Sequence, residues 1–274
     1  MSAVTAARPS RSRVAVALAD GLVVAHRNTI RLARIPAVLV FELLQPVMFV
    51  LLFRYVFGGA IAGLPQGVDY VNYLMPGIFV QNAIFGSTGT AIGIAEDLKA
   101  GLIDRFRSLP MARSAVLVGR TTSDLIKNFA LVTIMIAIGY LVGFSFEQGV
   151  VQALGVVALT LTVGFAFSWI SATIGLALKE LEAVQAASFT WIFPLVFVSS
   201  VFVPVQGMPP FLQAIARNNP ITIWANTARA LTVGPVSIPP GQSLDDLLVL
   251  SALWIVGILL VFVPLSVRLY RRLT

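Results

Sequence analysis

Few residues in this chain have the chemistry for a reaction. There is one histidine, His26, and no cysteine, so neither a two-histidine metal site nor thiolate ligation, an iron–sulfur cluster or a disulfide can form. None of Lys99, Lys127 and Lys179 stands in a G-x-x-x-x-G-K context, so the chain carries no phosphate-binding loop of that kind. What remains is a handful of charges set in apolar sequence. Arg120, Asp124 and Lys127 recur at spacings of four and three, so they share one helical face and can pair. A charge at mid-bilayer costs about 2.5–3.5 kcal/mol on insertion scales, and pairing lowers that cost. The cluster reads as a structural ion group or as a proton relay. Glu42 lies two turns into an apolar stretch without a local partner, and an intramembrane carboxylate is a functional candidate by default. Gln81, Asn82 and Phe85, followed by Ser87, Thr88 and Thr90, bring polar groups into another apolar run. They either hydrogen-bond neighbouring helices or line a route. No catalytic set and no metal site emerges.

The elements that hold these residues belong in lipid. The chain of 274 residues is 58% hydrophobic and 11% charged, with a mean hydropathy of +0.91. A soluble domain carries about 25% charged residues, so this surface faces hydrocarbon. The net charge of +7 is not a nucleic-acid footprint. Its basic residues stand at the ends of apolar runs, where the positive-inside rule puts them.

Two units follow. Residues 1–34 form a basic tail and an amphipathic helix, Val14 to Ala25, with Val14, Leu18 and Leu22 on one face and Arg27, Arg31 and Arg34 after it. Such a helix lies in the membrane interface. Asp20 and the poor cleavage site at Val23–Ala25 argue against a signal peptide. Residues 35–274 form an all-α polytopic membrane domain of six transmembrane helices. The spans are Pro36–Phe57, Tyr73–Ala95, Ser114–Phe144 (continuously apolar from Phe129), Val150–Leu178, Ala183–Val203 and Leu247–Val267. With both termini cytoplasmic, all but Arg54, Arg217 and Arg229 of the 19 Lys and Arg residues fall inside; the opposite orientation reverses the ratio. Gly155, Gly164 and Gly175 on the fourth span allow close helix approach.

Two segments outside the spans stand out. In EDLKAGLIDRFRSLPMAR, Glu96 to Arg113, an apolar stripe of Leu98, Leu102, Phe106 and Leu109 is flanked by Glu96, Asp97, Asp104, Arg105 and Arg107. That amphipathic helix either rests on the membrane or docks into a partner's groove. Between spans five and six, Pro209, Pro210, Pro220 and Pro235 break the stretch 206–243. Phe211, Leu212 and Ile215 make one short helix and Asn219-Pro220 starts another. Backbone at membrane depth must be hydrogen-bonded, so we expect re-entrant outer helices that form a cap.

These residues resemble the type-2 permeases of ATP-binding-cassette exporters, particularly the antibiotic-resistance permeases of the daunorubicin-exporter kind. Glu96–Leu125 is similar to that family's cytoplasmic loop and third helix. The run Ile192 to Arg229, with Pro204, Met208-Pro209, Asn219-Pro220 and Arg229, is similar to its signature region, from which Val198 and Ile223 depart. The resemblance implies a bacterial inner-membrane subunit that pairs with a second permease, as homodimer or heterodimer, over two cytoplasmic ATPase subunits. Those partners hold the ATP and Mg; the permease binds no cofactor and is not itself an enzyme. It further implies a coupling helix made by Glu96, Asp97, Leu98, Leu102, Asp104, Arg105, Phe106 and Arg107. A pathway near Gln81, Asn82 and Phe85 follows, as does an outer gate of Phe211, Leu212, Ile215, Asn219, Pro220 and Arg229. The cargo would be an amphiphilic drug, lipid or glycoconjugate. Two other readings are a proton-coupled transporter using Glu42 with the Arg120/Asp124/Lys127 cluster, and a non-transporting membrane scaffold.

Overall fold

A computed structural model describes residues 36–61, 63–101 and 115–273. The described residues are helical, without strands. In chain order the helices are α1 (Pro36–Leu51), α2 (Tyr70–Gly86), α3 (Thr88–Lys99), α4 (Ala115–Leu141), α5 (Val150–Leu178), α6 (Leu181–Phe197), α7 (Pro210–Asn218), α8 (Pro220–Thr232) and α9 (Leu244–Leu273). A π-helical turn, Leu52–Phe57, continues α1. The amino-terminal interfacial helix and the stretch from Leu102 to Arg113 lie outside the described residues.

Among the described residues, five helical stretches are long and apolar enough to cross a membrane: Val40–Phe57, Tyr70–Lys99, Leu117–Leu141, Val150–Leu178 and Leu244–Arg272. The helix expected as the fifth span is shorter than its apolar sequence. It starts at Leu181 and stops at Phe197, after 17 residues, at the lower limit of what spans hydrocarbon. The expectation that it continues to Val203 is corrected by a physical cause. The carbonyls of Leu195 and Val198 accept hydrogen bonds from the Asn219 amide, and those of Ser200 and Val201 from Arg229. The chain therefore turns there.

Other boundaries move less. The second span starts three residues earlier than expected and is interrupted at Ser87, where α2 gives way to α3. The third closes at Leu141 because Gly143, at φ +95°, turns the chain before Phe144. The sixth is one helix through Pro264 to Leu273.

α5 is the hub, packing on α9, α3, α4, α2 and α8. Its glycines make this possible. A Cβ at Gly175 would lie 2.6 Å from the Ala91 carbonyl oxygen, and one at Gly164 3.2 Å from the Ala83 Cβ. Gly155 meets Leu231 only in ordinary contact. Close backbone approach of this kind is how helices associate in lipid. α2 is buried along nearly its whole length, whereas α1 and α9 leave large apolar side chains exposed.

Candidate functional site

The second span presents glycines to three long polar side chains of the third. A Cβ at Gly93 would fall 1.5 Å from the Arg120 guanidinium, one at Gly89 2.9 Å from Lys127 Nζ, and one at Gly86 2.6 Å from Asn128 Oδ1. The missing side chains leave grooves in which long polar groups of α4 reach the backbone of the second span. Lys127 Nζ donates to the Gly86 carbonyl at 3.2 Å and Arg120 Nη2 to the Gly89 carbonyl at 2.9 Å. The Thr90 hydroxyl donates to Asp124. Arg120 also faces Asp97 at 3.8 Å, and Lys127 sits 4.0 Å from Asp124. A buried ion is tolerable only when its hydrogen bonds are replaced, and this seam replaces them.

Two readings of the charges change. Glu42 is not alone: its Oε1 accepts from Lys127 Nζ at 2.9 Å, tying α1 to α4. Arg120 reaches across to Asp97 and the second span, so the cluster runs between helices as well as along one face. Sequence separation hid both contacts, since Glu42 and Lys127 are 85 positions apart. Gly86, Gly89 and Gly93 were missed, although their spacings of three and four mark one helical stripe.

Beside the seam is a cavity of about 450 Å³. It is lined from α1 by Phe41, Glu42, Gln45 and Pro46, from the second span by Gln81, Asn82 and Phe85 among others, and from α6 by Phe189. The polar residues of the second span divide here. Ser87 bonds the Ile84 carbonyl and lies 3.2 Å from the Ser171 hydroxyl, Thr88 bonds the Phe85 carbonyl, and Thr90 bonds Asp124. Gln81 Oε1 and Asn82 Nδ2 are buried with no partner among the described residues. A buried polar group without a partner calls for an explanation.

From the cavity an aromatic ladder leads to the other end of the bundle. Phe85 meets Phe189 and Phe193, with ring centroids 6.2 and 5.1 Å apart. Phe193 stacks on Phe197, Phe197 meets Phe202, and Phe202 stacks on Phe53 at 4.6 Å. The α6 phenylalanines recur every four residues, which puts them on one face. Each is partly exposed.

At that other end Arg229 is fully buried. Its Nε donates to the Tyr73 carbonyl at 2.7 Å, Nη1 to Ser200 Oγ and Asn226 Oδ1, and Nη2 to the Ser200 and Val201 carbonyls. The Tyr73 ring lies 3.7 Å from the guanidinium carbon, within cation–π range. Gly77 admits the turn: a Cβ there would stand 2.8 Å from the Val201 carbonyl oxygen. The Asn219 side chain also accepts from the Ile221 amide and caps α8, with Pro220 at its first position. Ile221, Ile223 and Trp224 are buried, but Phe211 and Ile215 are exposed and Leu212 half-buried. α7 therefore turns Phe211 and Ile215 away from the described residues.

Of the expected coupling residues, Glu96, Asp97 and Leu98 end α3, with Asp97 buried and Leu98 packed beneath Leu117 and Tyr270. Leu102, Asp104, Arg105, Phe106 and Arg107 lie outside the described residues.

Residues 21–232 match the family model for ABC-2 type transporters. This chain belongs to that family. Over 265 residues it is 32% identical to the daunorubicin resistance ABC transporter permease protein DrrB1 of Streptomyces coeruleorubidus, covering 97% of this chain and 89% of that one. It is 24% identical to the probable doxorubicin resistance ABC transporter permease protein DrrC of Mycobacterium tuberculosis, over 96% of this chain and 92% of that one. It is also 26% identical to the putative transport permease ycf38 of Cyanophora paradoxa, over 87% and 86%. The ABC-2 chain is thus a transport permease, and its apolar helices are those of a multi-pass membrane protein.

Proposed function

We propose that this permease is the six-span subunit of an ATP-driven exporter in a bacterial inner membrane, with α6 as the fifth span. Both termini and the segment 96–113 face the cytoplasm, where the positive-inside rule puts their basic residues. Two cytoplasmic ATPase subunits bind ATP and Mg and dock on Glu96–Leu98 and on Leu102, Asp104, Arg105, Phe106 and Arg107. A second permease, identical or related, completes the transporter. The cargo is an amphiphilic drug, lipid or glycoconjugate moved outward, and the relatives named for daunorubicin and doxorubicin resistance favour the drug.

The observation that carries this reading is the cavity with its unpartnered Gln81 and Asn82 atoms at the foot of the phenylalanine ladder. Rings spaced at 4.6–6.2 Å offer an amphiphile a succession of equivalent apolar contacts, none strong enough to trap it. Arg229, Asn219 and Pro220 hold the outer end, and α7 lays Phe211 and Ile215 into the outer leaflet beside it.

The test is efflux of a fluorescent amphiphile from cells or proteoliposomes. Transport should require co-expression of a phosphate-binding-loop ATPase and survive collapse of the proton gradient. Efflux without the ATPase, stopped by a protonophore, would establish the proton-coupled reading in its place.

A further inference from the structure

Resting on the reading of the α1–α2–α6 cavity as the cargo site, we infer that it selects an ammonium-bearing aromatic amphiphile, with Glu42 as the cation-recognising residue. The lining of this cavity is asymmetric in its hydrogen-bonding capacity. Glu42 Oε1 is taken by Lys127 at 2.9 Å, but Oε2 is buried and has no partner among the described residues. Gln81 Oε1 is a second buried acceptor without a partner, and Asn82 Nδ2 is the one corresponding donor. Gln81 and Asn82 are 2% and 5% exposed, so water does not serve them from bulk. Two free acceptors, one of them anionic, can take two of the three N–H donors of a primary ammonium. The free amide donor matches a carbonyl or hydroxyl oxygen on the same ligand.

Charge points the same way. Glu42 and Asp124 face the single cation Lys127, at 2.9 and 4.0 Å. Arg120, one turn away on α4, is directed to Asp97 and the Gly89 carbonyl. Two carboxylates thus share one ammonium, Lys127 is held by Glu42 and the Gly86 carbonyl, and Glu42 is the charge in the cavity lining. An anionic headgroup would meet repulsion from Glu42 and find a single amide to bind. Phe41, Phe85 and Phe189 supply apolar faces for the ring system and π-faces for the cation. A cavity of about 450 Å³ suits a drug-sized molecule, not a polymer segment.

The test is a matched pair of probes, dansylcadaverine with its primary ammonium and N-acetyl-dansylcadaverine without it. Both are titrated by fluorescence into the purified permease in phosphatidylcholine nanodiscs, whose zwitterionic surface has no charge preference. Wild type should favour the ammonium by roughly tenfold, as a charge-assisted hydrogen bond is worth. Glu42→Gln can still accept from Lys127 and should bring the ratio to about one, leaving N-acetyl affinity unchanged. Glu42→Asp should restore most of the preference, separating lost charge from lost fold. Phe85→Ala should weaken both probes alike. Equal binding of the two probes in wild type, with Phe85→Ala still weakening both, would overturn selection by Glu42 and leave the cavity as the cargo site. Binding indifferent to Phe85 and Glu42 would overturn both.

Discussion

At the scale of single residues, glycine is what makes this membrane protein's polar interior possible. At Gly175, where another helix approaches, a methyl group would strike the backbone of Ala91, with the carbonyl oxygen at 2.6 Å and Cα at 3.1 Å. Backbone does not swing aside, so Gly175→Ala should cost about 1–3 kcal/mol, the range for overpacking. Gly257→Ala, with nothing within 4 Å, should stay within about 0.5 kcal/mol of wild type. Thermal unfolding of the two purified variants makes the comparison. Asp124 poses a different question, since it is buried between Thr90 and Lys127. Removing it as Asp124→Ala strands the threonine hydroxyl and leaves Lys127 with Glu42 and the Gly86 carbonyl. We expect a loss of about 1–3 kcal/mol, the cost of an orphaned buried group, with transport falling in proportion. Full thermal stability combined with abolished transport would assign Asp124 to proton movement instead.

At the scale of elements, the junction of α6, α8 and the start of α2 depends on one cation. Arg229 satisfies all its N–H groups on acceptors from three segments. The bend at residues 198–203 therefore keeps its carbonyls bonded although the helix has ended. Arg229→Ala should destabilise by about 3–5 kcal/mol, the range for breaking a buried charged network. Arg229→Lys should recover little, because an ammonium has no planar fork to reach Tyr73, Ser200 and Val201 together. Hydrogen exchange should show the matching signature: faster exchange at Ser200 and Val201 in both variants, with α4 unaffected. Equal exchange at that bend in wild type and Arg229→Ala would show that the arginine does not hold it.

At the scale of the whole molecule, orientation and coupling are the open quantities. The chain has no cysteine, so single cysteines report cleanly. A membrane-impermeant thiol reagent applied from outside should label Gln66→Cys quickly, its side chain being exposed, and Phe211→Cys slowly, its position lying in the outer leaflet. Ile223→Cys, at 8% exposure, should label slowly, and Ala100→Cys only after permeabilisation. Rapid labelling at Ala100 in sealed cells would reverse the topology. Coupling is tested by Phe106→Ala, which should abolish permease-dependent ATPase stimulation in proteoliposomes and leave the melting temperature unchanged. Asp97 is a poorer probe than its acidic position implies, because it is buried and faces Arg120. Its substitution would disturb the seam as well as any docking.

The sequence by itself determined the class of this molecule. Hydropathy and length locate apolar helices without reference to partners, because each satisfies its own backbone in lipid. The boundaries of Val150–Leu178 came out as read. The short-range signals were legible too, among them the Asn219-Pro220 helix start and the shared face of Arg120, Asp124 and Lys127. Tertiary structure decided everything that depended on which side chain meets which across a large separation. It paired Glu42 with Lys127, sent Arg120 to Asp97, and ended α6 at Phe197 by giving the Leu195 and Val198 carbonyls to Asn219 and those of Ser200 and Val201 to Arg229. It also left Gln81 and Asn82 facing a cavity while Ser87, Thr88 and Thr90 found partners. The reason is physical. Lipid makes any run of apolar residues equally comfortable along its length. Where such a helix bends, and what its few polar atoms bond, is set by neighbours that hydropathy does not name.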